Sequence, residues 1–244
     1  MVRPQRPKAA QNEVRPARPT NRDRPNSRGD TTRQVILETA EQLFAERGIA
    51  AVPLRDVGLA AGQRNNVAVQ YHFGDRETLI QAITSYRAAT SEEIRTEVLA
   101  DLFARGHAPQ VRDLVRAFVL SLARHLEEGN HYLAFLSRYI IEQGGYRGLE
   151  GSLSTSTVTT MISLVYRLLP DYPEAVLFER WMIMMTSTVH TLARYQTARQ
   201  SRKLATPLDE LLDDLVTFLS AGIESVPDRG DQGRVQGGLT APDR

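Results

Sequence analysis

The chain has 244 residues, 41% hydrophobic and 24% charged, enough for one or two soluble domains with a sizeable core, and no apolar run reaches the roughly 18–20 residues of a membrane span. It contains no cysteine, which excludes disulfides, thiolate catalysis, thiolate metal sites and thiol redox sensing. Formal net charge is only +1, but segment 1–30 holds eight Lys/Arg against three Asp/Glu, whereas 91–225 holds thirteen against seventeen.

The basic segment 1–30 is rich in Arg, Pro and Asn and nearly free of large apolar side chains. It cannot bury enough surface to offset the entropy of ordering, so it is read as a disordered arm. Two roles fit: an arm that tracks phosphates or another polyanion, or a solvated spacer. No apolar h-region follows the charged N-terminus, and a cytoplasmic location is expected.

Helical spacing dominates from there on. A first helix is predicted over 31–47, with Ile36, Ala40, Leu43 and Phe44 on one face, Asp30 or Thr31 as cap and Gly48 as stop. A short second helix over 53–61 places Pro53 at the favoured first position and turns Leu54, Val57 and Ala61 inward. Gly62 closes it. A third covers 65–71, with Ala68 inward and Val69 beside it. Asp75 caps a long fourth helix with Leu79, Ile80, Ile83 and Tyr86 inward, continuing through Ile94, Val98 and Leu102, with a break near Thr90 left open.

Five more helices are expected over 109–128, 131–143, 149–169, 173–199 and 207–225. Val111, Leu114, Phe118 and Leu122 carry the first of these, and Leu211, Leu215, Phe218 and Ile223 are among the apolar positions of the last. Thr206-Pro207-Leu208-Asp209 is a cap, a proline and an acid where the exposed N–H groups sit. The segment from Pro227 returns to loop composition. The predicted fold class is all-α, divided into an arm (1–30), a three-helix head (31–78), a helical body (79–225) and a tail (226–244).

Chemistry concentrates in "GQRNNVAVQYHFGDRETL", residues 62–79. As an active site it lacks parts: His72 has no serine or cysteine beside it to activate, and HxxxH, HExxH, Walker and GxGxxG patterns are missing. His107, His125, His131 and His190 are scattered, so no metal and no cofactor is expected, and Asp213-Asp214 lies on the solvated face of an amphipathic helix. As a DNA reader it is coherent. Two short helices around Gly62 form a helix-turn-helix. The amides of Asn65, Asn66 and Gln70 suit adenine, and Arg64 suits guanine.

In its motifs the segment 31–79 resembles TetR-type transcription regulators. Leu43-Phe44-Ala45-Glu46-Arg47-Gly48, Leu54-Arg55-Asp56-Val57, Ala61-Gly62, Tyr71-His72-Phe73 and Asp75-Arg76-Glu77-Thr78-Leu79 follow the family pattern in order. The resemblance implies a third helix in the major groove, with Tyr71, His72 and Arg76 at phosphates. Thr31, Thr32 and Arg33 are expected to offer hydroxyls and backbone N–H groups to phosphate. Arg55 contacts DNA or pairs with a neighbouring acid. Phe73 is expected in the core.

The chain departs from the family pattern in four places. One extra residue lies between Gly62 and Tyr71, Gln63-Arg64 replaces an apolar residue and a serine cap, Val52 replaces a threonine cap, and Gly58 replaces alanine. Either Asn65 or Asn66 can then cap the third helix.

The resemblance also implies an effector-binding and dimerisation body. Helices at about 173–200 and 207–225 would pair with their copies in a homodimer on a near-palindromic operator. A small, apolar or aromatic effector would meet Phe118, Phe135, Tyr139, Met161, Tyr166, Trp181, Met182 and Met185. Repression relieved by the effector is the expected function, with activation or effector-independent regulation as the variant. A helical enzyme or carrier is the competing class.

Overall fold

The computed structural model describes residues 27–65, 67–104, 106, 108–149 and 156–226. Among these, nine α-helices and one 3-10 turn occur, and no strand. The arm to residue 26, Asn66, and the tail from residue 227 lie outside the described residues. No described helix is long and apolar enough to cross a membrane.

Three helices make the head: α1 (Ser27–Arg47), α2 (Leu54–Ala60) and α3 (Ala68–Phe73). Ile36, Leu37, Ala40, Leu43 and Phe44 of α1 face inward and are buried. Val57 of α2 and Val69 and Phe73 of α3 close against them. Each fully buried side chain of this size contributes about 1.5–3 kcal/mol, which is what holds α3, since six residues cannot sustain a helix alone. Gly58 is buried where α2 meets α3, and a Cβ there would lie 3.4 Å from Val69 Cγ2, an ordinary contact. The helix propensity lost at Gly58 is therefore not required by the packing.

Gly74 (φ +76°) ends α3, and Asp75 starts α4 (Arg76–Ala104) by accepting the Thr78 N–H at 2.7 Å. That N–H bond, followed by the Thr78 hydroxyl, holds the Asp75 carboxyl below its ordinary pKa. α4 spans about 43 Å at 1.5 Å per residue and runs from head to body. The body adds α5 (Val111–Ala123), the 3-10 turn Arg124–Leu126, α6 (Tyr132–Gln143), α7 (Ser156–Leu168), α8 (Glu174–Gln200) and α9 (Leu208–Glu224). Its core is aromatic-rich. Phe118 and Trp181 rings meet edge-on at 5.9 Å, and Phe135 sits 6.3 Å from each of Phe44, Tyr132 and Tyr139.

Head and body are joined by buried charge. Arg87 on α4 donates to both carboxylate oxygens of Glu41 on α1, at 2.7 and 2.9 Å. Glu41 also accepts the His131 N–H, ahead of α6. At the other edge, Glu142 on α6 accepts the N–H groups of Ile49 and Ala50. Gly48 is required there: its φ is +95°, and a Cβ would come within 2.9 Å of the Glu142 carboxylate.

Several expectations change. α1 begins at Ser27, four residues early, so Thr31 and Thr32 lie inside the helix and their N–H groups belong to its ladder rather than to an open end. α3 begins at Ala68 instead of residue 65, because Asn65 is taken up by the turn. α4 is unbroken at Thr90, and Tyr86 is exposed. In the second half of α4 the inward stripe is Ser91, Arg95 and Leu99. Ile94, Val98 and Leu102 are only half-buried, because the helix turns a polar edge toward α5 and α7. α7 begins at Ser156, and residues 150–155, within the predicted 149–169 helix, lie outside the described residues.

Candidate nucleic-acid interface

The turn between α2 and α3 is closed by Gly62 N–H to the Leu59 carbonyl at 3.0 Å and Gln63 N–H to the Gly58 carbonyl at 2.9 Å. Gly62 takes φ +70°, the left-handed region that ends helices at low cost for glycine. The Gln63 side chain folds back to the Ala61 carbonyl at 3.0 Å. Asn65 Oδ1 then accepts the Val67 N–H at 3.1 Å, and its backbone carbonyl accepts the Ala68 N–H. Val67, not Asn65, is the N-cap of α3, and no side chain caps it; Asn65 instead closes the turn just ahead of the helix. Its acceptor oxygen is occupied, so a bidentate pair with adenine would require it to leave the turn.

The outward face of α3 carries Gln70 and Tyr71. Tyr71 is 84% exposed, an unusual position for an aromatic side chain. Its ring lies edge-on to His72 at 5.1 Å, and His72 is half-buried. Arg64 is exposed beside this face, and Arg55 on α2 is exposed with only a 3.8 Å contact to Asp56. Amide, phenol, imidazole and guanidinium groups therefore stand together on a surface whose underside is the Val69–Phe73 packing. The arrangement suits base edges flanked by phosphates.

Two predicted phosphate ligands are turned elsewhere. The Arg76 guanidinium donates to the Ile49 carbonyl and lies over the Phe44 ring at 5.8 Å. It braces the start of α4 against the loop after α1. Arg33, though exposed, has its guanidinium 4.9 Å above the Phe73 ring. Thr32 is half-buried on α1.

The body holds a second chemical feature that sequence reading missed. Thr84, Ala88, Ser91 and Arg95 form a stripe along α4, facing Phe118 and Leu122 of α5, Tyr132 and Leu136 of α6, Tyr146, Val158 of α7, and Met185 and Val189 of α8. They enclose about 30 Å³, room for roughly one or two waters. The i, i+4, i+7, i+11 spacing of Thr, Ala, Ser and Arg was the available signal. It is a small-polar stripe with helical period inside a helix expected to bury apolar residues. Of the eight predicted effector contacts, Phe118 and Met185 line this cavity. Phe135, Met161 and Trp181 are core residues, Tyr139 borders the head–body cleft, and Tyr166 and Met182 are half-buried away from the cavity lining.

Arg95 is satisfied on three sides: Nε to Thr157 Oγ1 at 3.0 Å, one Nη to Ser121 Oγ at 3.2 Å and the other to Glu92 at 3.1 Å. Ser91 Oγ meets His125 Nε2 at 3.0 Å, and Asn130 Nδ2 faces His125 Nδ1 at 3.4 Å. This looks like an activated serine, but the proton lies the wrong way. Asn130 Oδ1 accepts the Tyr132 N–H, so its amide nitrogen points at Nδ1. Nδ1 is then the acceptor, and Nε2 carries the proton and donates to Ser91. A base must accept from the serine hydroxyl instead.

Burial, then repulsion from Arg87, Arg95 and Arg124, pulls the His125 pKa down to about 4. The unfolded chain binds this proton at about 6.5, so the folded state loses stability as pH falls below that value. Stability is expected to drop by about 2 kcal/mol between pH 7.5 and pH 5 from this group alone. Urea denaturation midpoints across that range check it, and His125→Gln should flatten the profile. A wild-type profile already flat from pH 7.5 to 5 contradicts the assignment.

An exposed three-helix head with a solvent-facing third helix, joined by one long helix to a helical body, defines the helix-turn-helix regulator class. Residues 36–83 match the model for bacterial regulatory proteins, tetR family, and residues 112–222 match that for the tetracyclin repressor-like C-terminal domain. The protein belongs to the TetR family of bacterial regulatory proteins.

Over 85 residues it is 34% identical to an HTH-type transcriptional repressor of Mycobacterium tuberculosis, a match covering 34% of this chain and 45% of that protein. Over 66 residues it is 38% identical to the HTH-type transcriptional repressor AcnR of Corynebacterium glutamicum, covering 27% and 35%. The chain thus spans less than half the length of these relatives. A solved TetR family transcription regulator from Marinobacter aquaeolei shares the fold, with TM-score 0.58 and 14% identity over 81% of this chain and 98% of that one.

Proposed function

We propose that the protein is a sequence-specific, double-stranded-DNA-binding transcription repressor. The observation that carries this reading is the outward presentation of Gln70 and Tyr71 on a six-residue helix whose inner side is fully committed to the core. A short polar helix this dependent on its scaffold gains nothing for stability from an exposed tyrosine. Arg64, Arg55 and His72 flank it as phosphate or base contacts, Thr31 and Thr32 contribute at most side-chain hydroxyls, and Asn66 remains a base-reading candidate outside the described residues. Repression is favoured over activation because the matched relatives are named as repressors. A genome-wide footprint of bound DNA tests the reading. Sites sharing a near-palindrome with half-sites about one helical turn or more apart are expected. Bound fragments without a common palindrome overturn the dimeric operator.

The homodimer is proposed through α8 and α9. Val176, Phe178 and Ile183 on α8 and Phe218 on α9 are exposed, Phe218 at 73%. Large apolar side chains left in water on two neighbouring helices mark an association surface. The double variant Ile183→Asp with Phe218→Asp is expected to sediment as a monomer with unchanged helical circular dichroism. A variant still dimeric at micromolar concentration rules this face out.

A small-molecule effector is proposed to act through the body cavity. With only about 30 Å³ free, no effector of ordinary size enters without parting the helices around it. One of these is α4, which begins at the end of the reading helix. Occupancy therefore favours a conformation other than this one, and a ligand that binds the DNA-incompetent state better shifts the population toward it.

A further inference from the structure

Within the body cavity one polar group is left over. Tyr146, after α6, is 7% exposed and lines the cavity, and its hydroxyl has no hydrogen-bond partner among the described residues. The polar side chains of α4 on the lining each have a partner. Thr84 donates to the Ile80 carbonyl, Ser91 is bonded to His125, and Arg95 is saturated by Thr157, Ser121 and Glu92. An orphaned buried hydroxyl costs about 1–3 kcal/mol, so its persistence beside free space calls for an occupant that relieves it.

We propose that the effector is an uncharged, aromatic or apolar molecule carrying one hydrogen-bond acceptor, such as a carbonyl or ether oxygen, which receives the Tyr146 hydroxyl proton. This rests on the reading that the body cavity is the effector site. The apolar share of the recognition falls to Phe118, Leu122, Leu136, Met185 and Val189. Of these, Met185 is the most adaptable, and its thioether suits an incoming aromatic edge.

Charge on the ligand is disfavoured because the cavity's cation is already paired. Arg95 is the cation at the cavity, and Glu92 already balances it. A carboxylate would have to displace Glu92 or remain buried without a counter-ion. His125 stays neutral near pH 7 and offers no second cation. Tyr146 itself keeps its proton, because burial pushes its pKa up to about 12; the Thr186 hydroxyl pulls the other way but does not meet the geometry of a hydrogen bond to it. Tyr146 is a donor, so the complementary ligand atom is an acceptor.

The chain supplies its own reporter. Trp181 is the single tryptophan, and its ring meets Phe118 of the cavity wall at 5.9 Å. Fluorescence titration of the full chain with acetophenone, ethylbenzene and benzoate compares an acceptor-bearing ring, its hydrocarbon counterpart and an anion. Acetophenone is expected to bind about three- to tenfold more tightly than ethylbenzene, the worth of one hydrogen bond, and benzoate more weakly than either. In Tyr146→Phe the acetophenone advantage should vanish while ethylbenzene affinity is unchanged. The unliganded variant should be at least as stable as wild type, because the orphaned group is gone.

Equal affinities for acetophenone and ethylbenzene in wild type overturn the proposal, as does benzoate binding best. An acetophenone preference that survives Tyr146→Phe overturns it, and so does the absence of any fluorescence response at millimolar probe. A Tyr146→Phe variant clearly less stable than wild type shows that the hydroxyl was bonded to trapped water, and overturns it too. Release of a labelled operator fragment is measured separately. Tyr146-dependent probe binding without release leaves the ligand chemistry standing and removes the effector reading. Release by ethylbenzene and acetophenone alike does the reverse.

Discussion

Replacing Gln70 and Tyr71 together with alanine is expected to weaken operator binding by about 3–4 kcal/mol, on the order of several hundredfold, with little change in thermal stability. Both side chains lie on the open face of α3, and neither belongs to the head core. The loss in affinity is therefore not a loss of fold. Each removed base or phosphate contact is worth about 1–3 kcal/mol. Fluorescence anisotropy with a fragment recovered by footprinting measures it, and circular dichroism melting controls for folding. The matched comparison is Val69→Ala, which should reduce both, because Val69 is 2% exposed and its packing anchors the reading helix. Wild-type affinity in the Gln70/Tyr71 variant would remove α3 from the interface and send the search to another face.

The second large effect concerns the junction of head and body. Arg87→Met is expected to destabilise the protein by about 3–5 kcal/mol. Glu41 is 2% exposed, and without Arg87 its carboxylate keeps, among the described residues, only the His131 N–H as a partner. Burial acts against the Arg87 charge, yet the hydrogen bonds and attraction of Glu41 outweigh it, and the arginine pKa rises above its ordinary value. The pair is thus well matched as a unit and poorly tolerated in halves. Arg87→Met with Glu41→Leu should recover most of the loss, since two apolar residues of similar volume can replace a buried ion pair. Urea denaturation separates the cases. A single variant that loses under 1 kcal/mol would mean that water reaches the carboxylate. Because Glu41 is on α1, Arg87 on α4 and His131 ahead of α6, this pair also sets how the head sits on the body.

The local parts of the molecule are readable in the sequence. Asp75 as the cap of α4, Gly62 and Gly74 at positive φ, and proline ahead of α2, α8 and α9 all depend on residues within a turn or two of each other. So did the helix order, because apolar periodicity is a property of one segment at a time. Phe73 in the core follows from its place in that period. The extra residue in "GQRNN" was visible too, but its consequence was not. Only the folded chain shows that Asn65 closes the turn by accepting the Val67 N–H, that Val67 is the N-cap and that α3 starts at Ala68.

Arg76 marks the boundary of sequence reading most clearly. Its position after a helix cap suggests a phosphate ligand, yet its guanidinium is held by the Ile49 carbonyl and the Phe44 ring, groups 27 and 32 positions earlier. A long flexible cation takes the best partner within its reach, and that partner comes from another segment. Arg95 was passed over for the same reason. Its burial is tolerable only because Glu92, Ser121 and Thr157 converge on it from three helices.

The sequence by itself therefore determined the class of protein, the order of its helices and the position of the helix-turn-helix, since these follow from local propensity, capping and period. Tertiary structure decided which cations remain outward, which amide is consumed in the turn, how little space the body leaves, and that among the described residues the buried Tyr146 hydroxyl is left without a partner. Those outcomes are set by competition among side chains far apart in the chain, and the winner depends on distances that no local pattern contains.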